Sequence, residues 1–149
     1  MKYGDKMKLT DEEIKFIAEE LEIGMKVYLH KETKEIKSVI NLEENIYADE
    51  ELWKDSINEI EENYDKYVEF EKMDSREAFR VMEEFVETVD DEELKKKLEL
   101  GLWLSKPFRN FKDIIDDEGE YRKKWFAFKS AKYVEYVKEQ LANYNSAQE

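Results

Sequence analysis

The sequence predicts an α+β fold in which a small three-stranded antiparallel sheet packs against about five helices, with an all-helical C-terminal half. Three observations predict it. Apolar and polar residues alternate over 25–40 and again over 66–71, the period of half-buried strands. From Asp74 the apolar period lengthens to that of a helix and stays there. Helix-start residues recur ahead of the apolar stripes, at Thr10, Asp49, Asp74 and Asp90.

The first helix begins after Leu9-Thr10. Thr10 and Glu13 have the spacing of a capping box, and Leu9 and Ile14 that of a hydrophobic staple. Ile14, Ile17, Ala18 and Leu21 form its stripe, and Gly24 stands where a left-handed residue ends a helix. In the next segment Met25, Val27 and Leu29 alternate with Lys26, Tyr28 and His30, which reads as a strand buried on one face. A turn at Lys31-Glu32-Thr33-Lys34 returns the chain into a second strand over Ile36–Ile40. That turn lacks Gly and Asn, so any left-handed position in it is filled at a steric cost. Asn41 to Ala48 is a polar loop. Asp49 then caps a helix whose stripe is Trp53, Ile57, Ile60 and Tyr64, and Lys66–Glu71 gives the third strand.

The helix from Asp74 to Val89 organises the second half. Ala78, Phe79, Met82, Phe85, Val86 and Val89 share one side, with Phe79 and Phe85 expected in the core. Asp90 with Glu93 is the cap expected for the next helix, whose stripe is Leu94, Leu98 and Leu102; Gly101 weakens it near its end. Pro107 fits the first position of a further helix that buries Phe111 beside Phe108, Ile114 and Ile115. The last helix runs from about Glu120 to Tyr144. No repeat or linker divides the chain, so a single domain is expected over 1–149, with the helix and hairpin part at about 9–72 and the helical part at about 73–144.

Composition excludes several functions. The chain has no cysteine, which removes disulfides, thiolate metal sites and thiol nucleophiles and fits a reducing cytoplasm. No apolar run approaches the ~20 residues that span a bilayer. A soluble cytoplasmic protein is the expectation. The net charge of −14 opposes phosphate backbones, yet residues 105–138 carry nine basic against six acidic side chains, and all four arginines follow Lys72. His30 is the single histidine. No HExxH, GxSxG, P-loop or GxGxxG string is present. The acidic turn Asp113, Asp116, Asp117, Glu118 and Glu120 lacks EF-hand spacing, so neither a metal nor a cofactor is expected.

The motifs Ser75-Arg76-Glu77-Ala78-Phe79-Arg80, Met82-Glu83 with Phe85, Phe108-Arg109-Asn110-Phe111-Lys112-Asp113 and Trp125-Phe126 with Phe128 resemble those of a bacterial family known only as uncharacterised. The Tyr28-Leu29 hairpin and Tyr67-Val68-Glu69 are similar to its N-terminal part. Two departures stand out: Lys34 replaces a turn glycine, and the helix over Ala48–Asn63 is longer than in that family. The resemblance implies kinship of fold and no assigned activity.

Two candidate sites emerge. Arg76, Arg80, Arg109 and Lys112 lie in the early turns of two helices, where the helix dipole disfavours cations unless something negative answers them. They would form an anion site, or pair with nearby carboxylates. On the last helix Tyr121, Trp125, Phe128, Lys132 and Tyr136 share one side, and Phe126, Tyr133, Val137, Leu141 and Tyr144 another. With Lys129 and Lys132 beside it, an exposed Tyr121–Trp125 stripe would stack bases or bind an anionic segment; the alternative is a helix wedged between two layers. The function expected is an interaction or regulatory module without catalysis, with another protein as partner. A nucleic-acid-binding module using residues 105–138 is the alternative, and an enzyme working through carboxylates the third class.

Overall fold

In a computed structural model, residues 6–148 are described. They form helices α1 (Asp11–Glu22), α2 (Glu50–Glu62), α3 (Ser75–Thr88), α4 (Glu92–Trp103), α5 (Pro107–Ile115) and α6 (Glu120–Ala147), with strands β1 (Lys26–His30), β2 (Ile36–Val39) and β3 (Tyr67–Phe70). The fold is α+β with an antiparallel three-stranded sheet, and everything after β3 is helical. Two units divide the described chain: one runs to Lys72 and resumes at Tyr133, the other is Met73–Lys132.

In the first unit β1 lies between β2 and β3, antiparallel to both, with Tyr28 opposite Lys37 and Glu69. Val27 and Leu29 point to one face and are fully buried, with α1 against β1 supplying Ile17 and Leu21. Tyr28 departs from the expected half-buried strand: it too is buried, because α2 covers the second face with Ile60, Trp53 and Ile57 around Tyr28, Val39 and Tyr67. Tyrosines, apolar in body and polar at the tip, made that face look solvated in sequence.

The ends of these elements follow their chemistry. Thr10 and Glu13 form the full capping box, worth about 1 kcal/mol. After α1, the Gly24 N–H donates to Leu21 and the Met25 N–H to Glu20, a Schellman ending that needs the left-handed φ of +93° at Gly24. The hairpin turn does contain a left-handed non-glycine residue, Lys34, at φ 64°. Tyr64, expected on the α2 stripe, falls instead in a 3-10 turn (Tyr64–Lys66) and is exposed, because α2 stops at Glu62.

The second unit has its own core: Val81, Met82, Phe85, Val86 and Val89 of the α3 segment, Leu94 and Leu98 of α4, Phe111 and Ile115 of α5, and Trp125 of α6. Asp74 caps α3 through the Glu77 N–H. The cap of α4 is Asp91, not the expected Asp90, since its carboxylate accepts from the Leu94 N–H. Asp90 is freed to accept the Tyr121 hydroxyl. Phe79 was expected fully in the core; it is half-buried at the core's edge. Gly101 has a packing reason to be glycine: a Cβ there would meet Ile114 Cδ1 at 3.1 Å and Asn110 Cβ at 3.3 Å. Asn110 Nδ2 also donates to the Gly101 and Ser105 carbonyls, both at 2.9 Å, fastening α5 to the end of α4.

Candidate functional site

The four cations of the early helical turns are all exposed. Phe79 and Phe108 meet edge to face at 6.4 Å, which brings the second turn of α3 to the start of α5. Arg80 pairs with Glu77 at 3.2 Å and Lys112 with Asp116 at 2.9 Å. Arg76 and Arg109 make no ion pair among the described residues. The Lys112 ammonium, together with Arg122, holds Asp116 below the usual carboxylate range, and Asp116 raises Lys112 in return. Half of the cluster is thus answered by carboxylates on its own helices.

The two stripes of α6 divide between the units, except that Tyr136 of the first stripe falls in the first unit and Phe126 of the other lies in the second unit, exposed. Trp125 is 8% exposed, its ring 4.7 Å from Phe111 and 5.3 Å from Phe85. Phe128 packs on Phe85, and half-buried Tyr121 bonds Asp90. Lys132 pairs with Glu84 at 2.9 Å over the Phe128 ring, and Lys129 is half-buried. From Tyr133 the other stripe takes over, burying Tyr133, Val137 and Leu141 in the first unit. One helix serving two cores needs apolar residues on two sides.

The α2-facing side of the sheet carries the strongest perturbed titrations. The Tyr67 hydroxyl donates to Glu59, and Lys37 lies 3.4 Å from the same carboxylate. Tyr67's bond, helped by Lys37, pulls Glu59 below the usual carboxylate range. Burial, then Glu59, pushes Tyr67 up to about 12; burial, then the charge of Glu69, does the same to Tyr28. All of these move away from neutrality, the wrong direction for general acid–base work near pH 7. His30 stands at its edge, 5.0 Å from the Tyr67 ring, with Nδ1 accepting the Glu32 and Thr33 N–H groups at 3.1 Å. These bonds build the hairpin turn. A cleft of about 190 Å³ beside Tyr28 and Ile57 is below the roughly 300–1,000 Å³ of sites that enclose small ligands.

A different surface stands out in the second unit. Its centre is Trp103, 85% exposed at the last position of α4, with Leu100 at 57% and Leu104 at 51% beside it. On α4 Leu100 and Trp103 lie across the helix from the buried Leu94–Leu98 stripe, Leu104 follows as its extended C-cap, and Gly101 turns the opposite side toward α5. Trp103 borders a cleft of about 270 Å³ between α3 and α4, floored by Phe79, Val86 and Leu102. Phe79 continues the patch to the exposed Phe108. Sequence reasoning followed Leu94, Leu98 and Leu102 and passed over Trp103. The signal was present: Leu100-Gly101-Leu102-Trp103-Leu104 holds more large apolar residues than one stripe can bury.

Among the described residues no group of three His, Cys, Asp or Glu side chains is placed to hold a metal ion, and no helix is long and apolar enough to cross a membrane. No curated protein and no solved structure matches the chain. A family model does, over residues 5–148, a span that includes the α3 motif, the start of α5 and the Trp125-Phe126 pair. The chain belongs to the uncharacterised protein family UPF0158.

Proposed function

We propose that this protein is a non-catalytic interaction module that engages a protein partner through the apolar surface centred on Trp103. The observation that carries the proposal is Trp103, 85% exposed at the border of a cleft lined by Phe79, Val86 and Leu102, with Leu100 and Leu104, each also more than half exposed, next to it along the chain. Large apolar side chains exposed singly need no explanation, whereas a contiguous patch is a cost to a lone soluble protein that a partner removes. Exposed tryptophan is also the residue type that most often dominates binding energy. The net charge of −14 and the burial of Trp125 favour a protein over nucleic acid, which would need a basic groove with exposed rings. A cytoplasmic setting belongs to the same reading, supported by the absence of cysteine.

The test is affinity capture from the native cell with the wild-type chain and with a Trp103→Ala, Leu104→Ser variant. The expected result is one defined protein captured by the wild type and lost by the variant, with unchanged melting. Equal capture by both chains, or capture of nucleic acid in place of protein, overturns the proposal.

A further inference from the structure

We propose that the groove between α3 and α4 takes a cationic amphipathic helix, its apolar residues lying on Trp103, Phe79 and Leu102 and its lysines or arginines meeting the acidic walls. This rests on the reading of the Trp103 surface as a docking site and specifies the chemistry of its occupant. The walls carry Glu83 and Glu87, one turn apart on α3, and Glu99 on α4. All three are exposed, and none makes an ion pair among the described residues. Against them stands one cation, Lys95. The nearby Glu77 and Glu84 pair with Arg80 and Lys132, so among the described residues the α3 carboxylates without an ion pair are Glu83 and Glu87, the two that line the cleft.

An apolar strip edged by unanswered negative charge is complementary to one kind of ligand surface: an apolar helix face bordered by positive residues. The cleft of about 270 Å³, bordered by side chains from Phe79 on α3 to Trp103 on α4, is suited to seating side chains rather than enclosing a metabolite. A second copy of the chain is a poor occupant. Its own groove repeats the three glutamates, and a net charge of −14 on each copy opposes close approach.

The experiment uses the full chain and fluorescein-labelled helical peptides read by anisotropy. One peptide carries leucines on one face and lysines on the other; a second replaces each lysine by glutamate; a third keeps the lysines and replaces each leucine by serine. The lysine–leucine peptide is expected to bind, each of the others at least tenfold more weakly, with affinity falling as salt is raised. Glu83→Gln, Glu87→Gln and Glu99→Gln together should weaken it on the order of tenfold, and Trp103→Ala roughly thirtyfold. Equal binding of the lysine and glutamate peptides to wild type overturns the inference without needing any variant. If Trp103→Ala abolishes binding while the triple Gln chain binds normally, the docking surface stands and its cationic preference falls. If Trp103→Ala changes nothing, the docking surface itself is lost. A dimer in sedimentation that Trp103→Ala dissociates would make a second copy the occupant, and would also overturn the inference.

Discussion

Gly101→Ala should destabilise the chain, although in an ordinary exposed helix the same change stabilises by about 1 kcal/mol. The new methyl would stand 3.1 Å from Ile114 Cδ1 and 3.3 Å from Asn110 Cβ. Ile114 Cδ1 is the end of a flexible side chain and can swing. Asn110 cannot move without straining two hydrogen bonds, to the carbonyls of Gly101 and Ser105, each worth about 0.5–1.5 kcal/mol. Overpacking of this kind costs about 1–3 kcal/mol. Set against the helix gain, the net loss should be up to about 2 kcal/mol in urea denaturation. A double-mutant cycle sharpens the test. Ile114→Val removes only the Cδ1 that can swing aside and leaves the Asn110 contact, so in that background Gly101→Ala should keep most of its cost. A stabilised Gly101→Ala chain, or a loss that disappears with Ile114→Val, would refute the claim that the anchored Asn110 makes this α4–α5 contact tight.

Four further outcomes follow from the same reasoning. Phe85→Ala empties a site 2% exposed that touches Phe111, Trp125 and Phe128; it should cost about 3–5 kcal/mol, and a melt unchanged within about 0.5 kcal/mol would place Phe85 elsewhere. Lys34→Gly relieves a left-handed lysine and should stabilise by up to about 1 kcal/mol, measured by denaturation; any loss of stability would mean that the Lys34 ammonium, which bonds the Lys31 carbonyl at 2.7 Å, outweighs the backbone strain. Glu59, Asp90 and Asp116 are all lowered, so their stabilisation is complete above about pH 4 and is lost as pH falls through their folded-state values. Tyr28 and Tyr67, raised to about 12, add stability that is lost from about pH 10 up to about 12; ultraviolet titration should find both among the late tyrosines, and Tyr67→Phe should remove one late ionisation and reduce the acid sensitivity at Glu59.

Local signals in the sequence were read well where one residue's chemistry decides the outcome. The Thr10–Glu13 box, Gly24, Pro107 and the Asp74 cap lie where their side chains or φ angles require, and the strained position in the hairpin is Lys34. Asp90 and Asp91 are equally good caps by type, and only the packing of Tyr121 separates their roles. What sequence could not supply is which side of an element has a neighbour. Tyr28 looked solvent-facing until α2 covered it. Trp125 looked like a stacking platform until Phe85 and Phe111 closed around it. Trp103 was missed for the converse reason: it is an apolar residue that no part of its own unit covers, and exposure is a property of the assembled surface.

Site-specific photocrosslinking in the native cell tests the docking surface most directly. A benzophenone amino acid replaces Trp103 in one chain and Tyr47, on the 41–48 loop and also highly exposed, in another. A single crosslinked protein from position 103, with none from position 47, is the predicted result. Equal adducts from both positions, or none from position 103 while position 47 crosslinks, would contradict the claim that this protein meets its partner at Trp103.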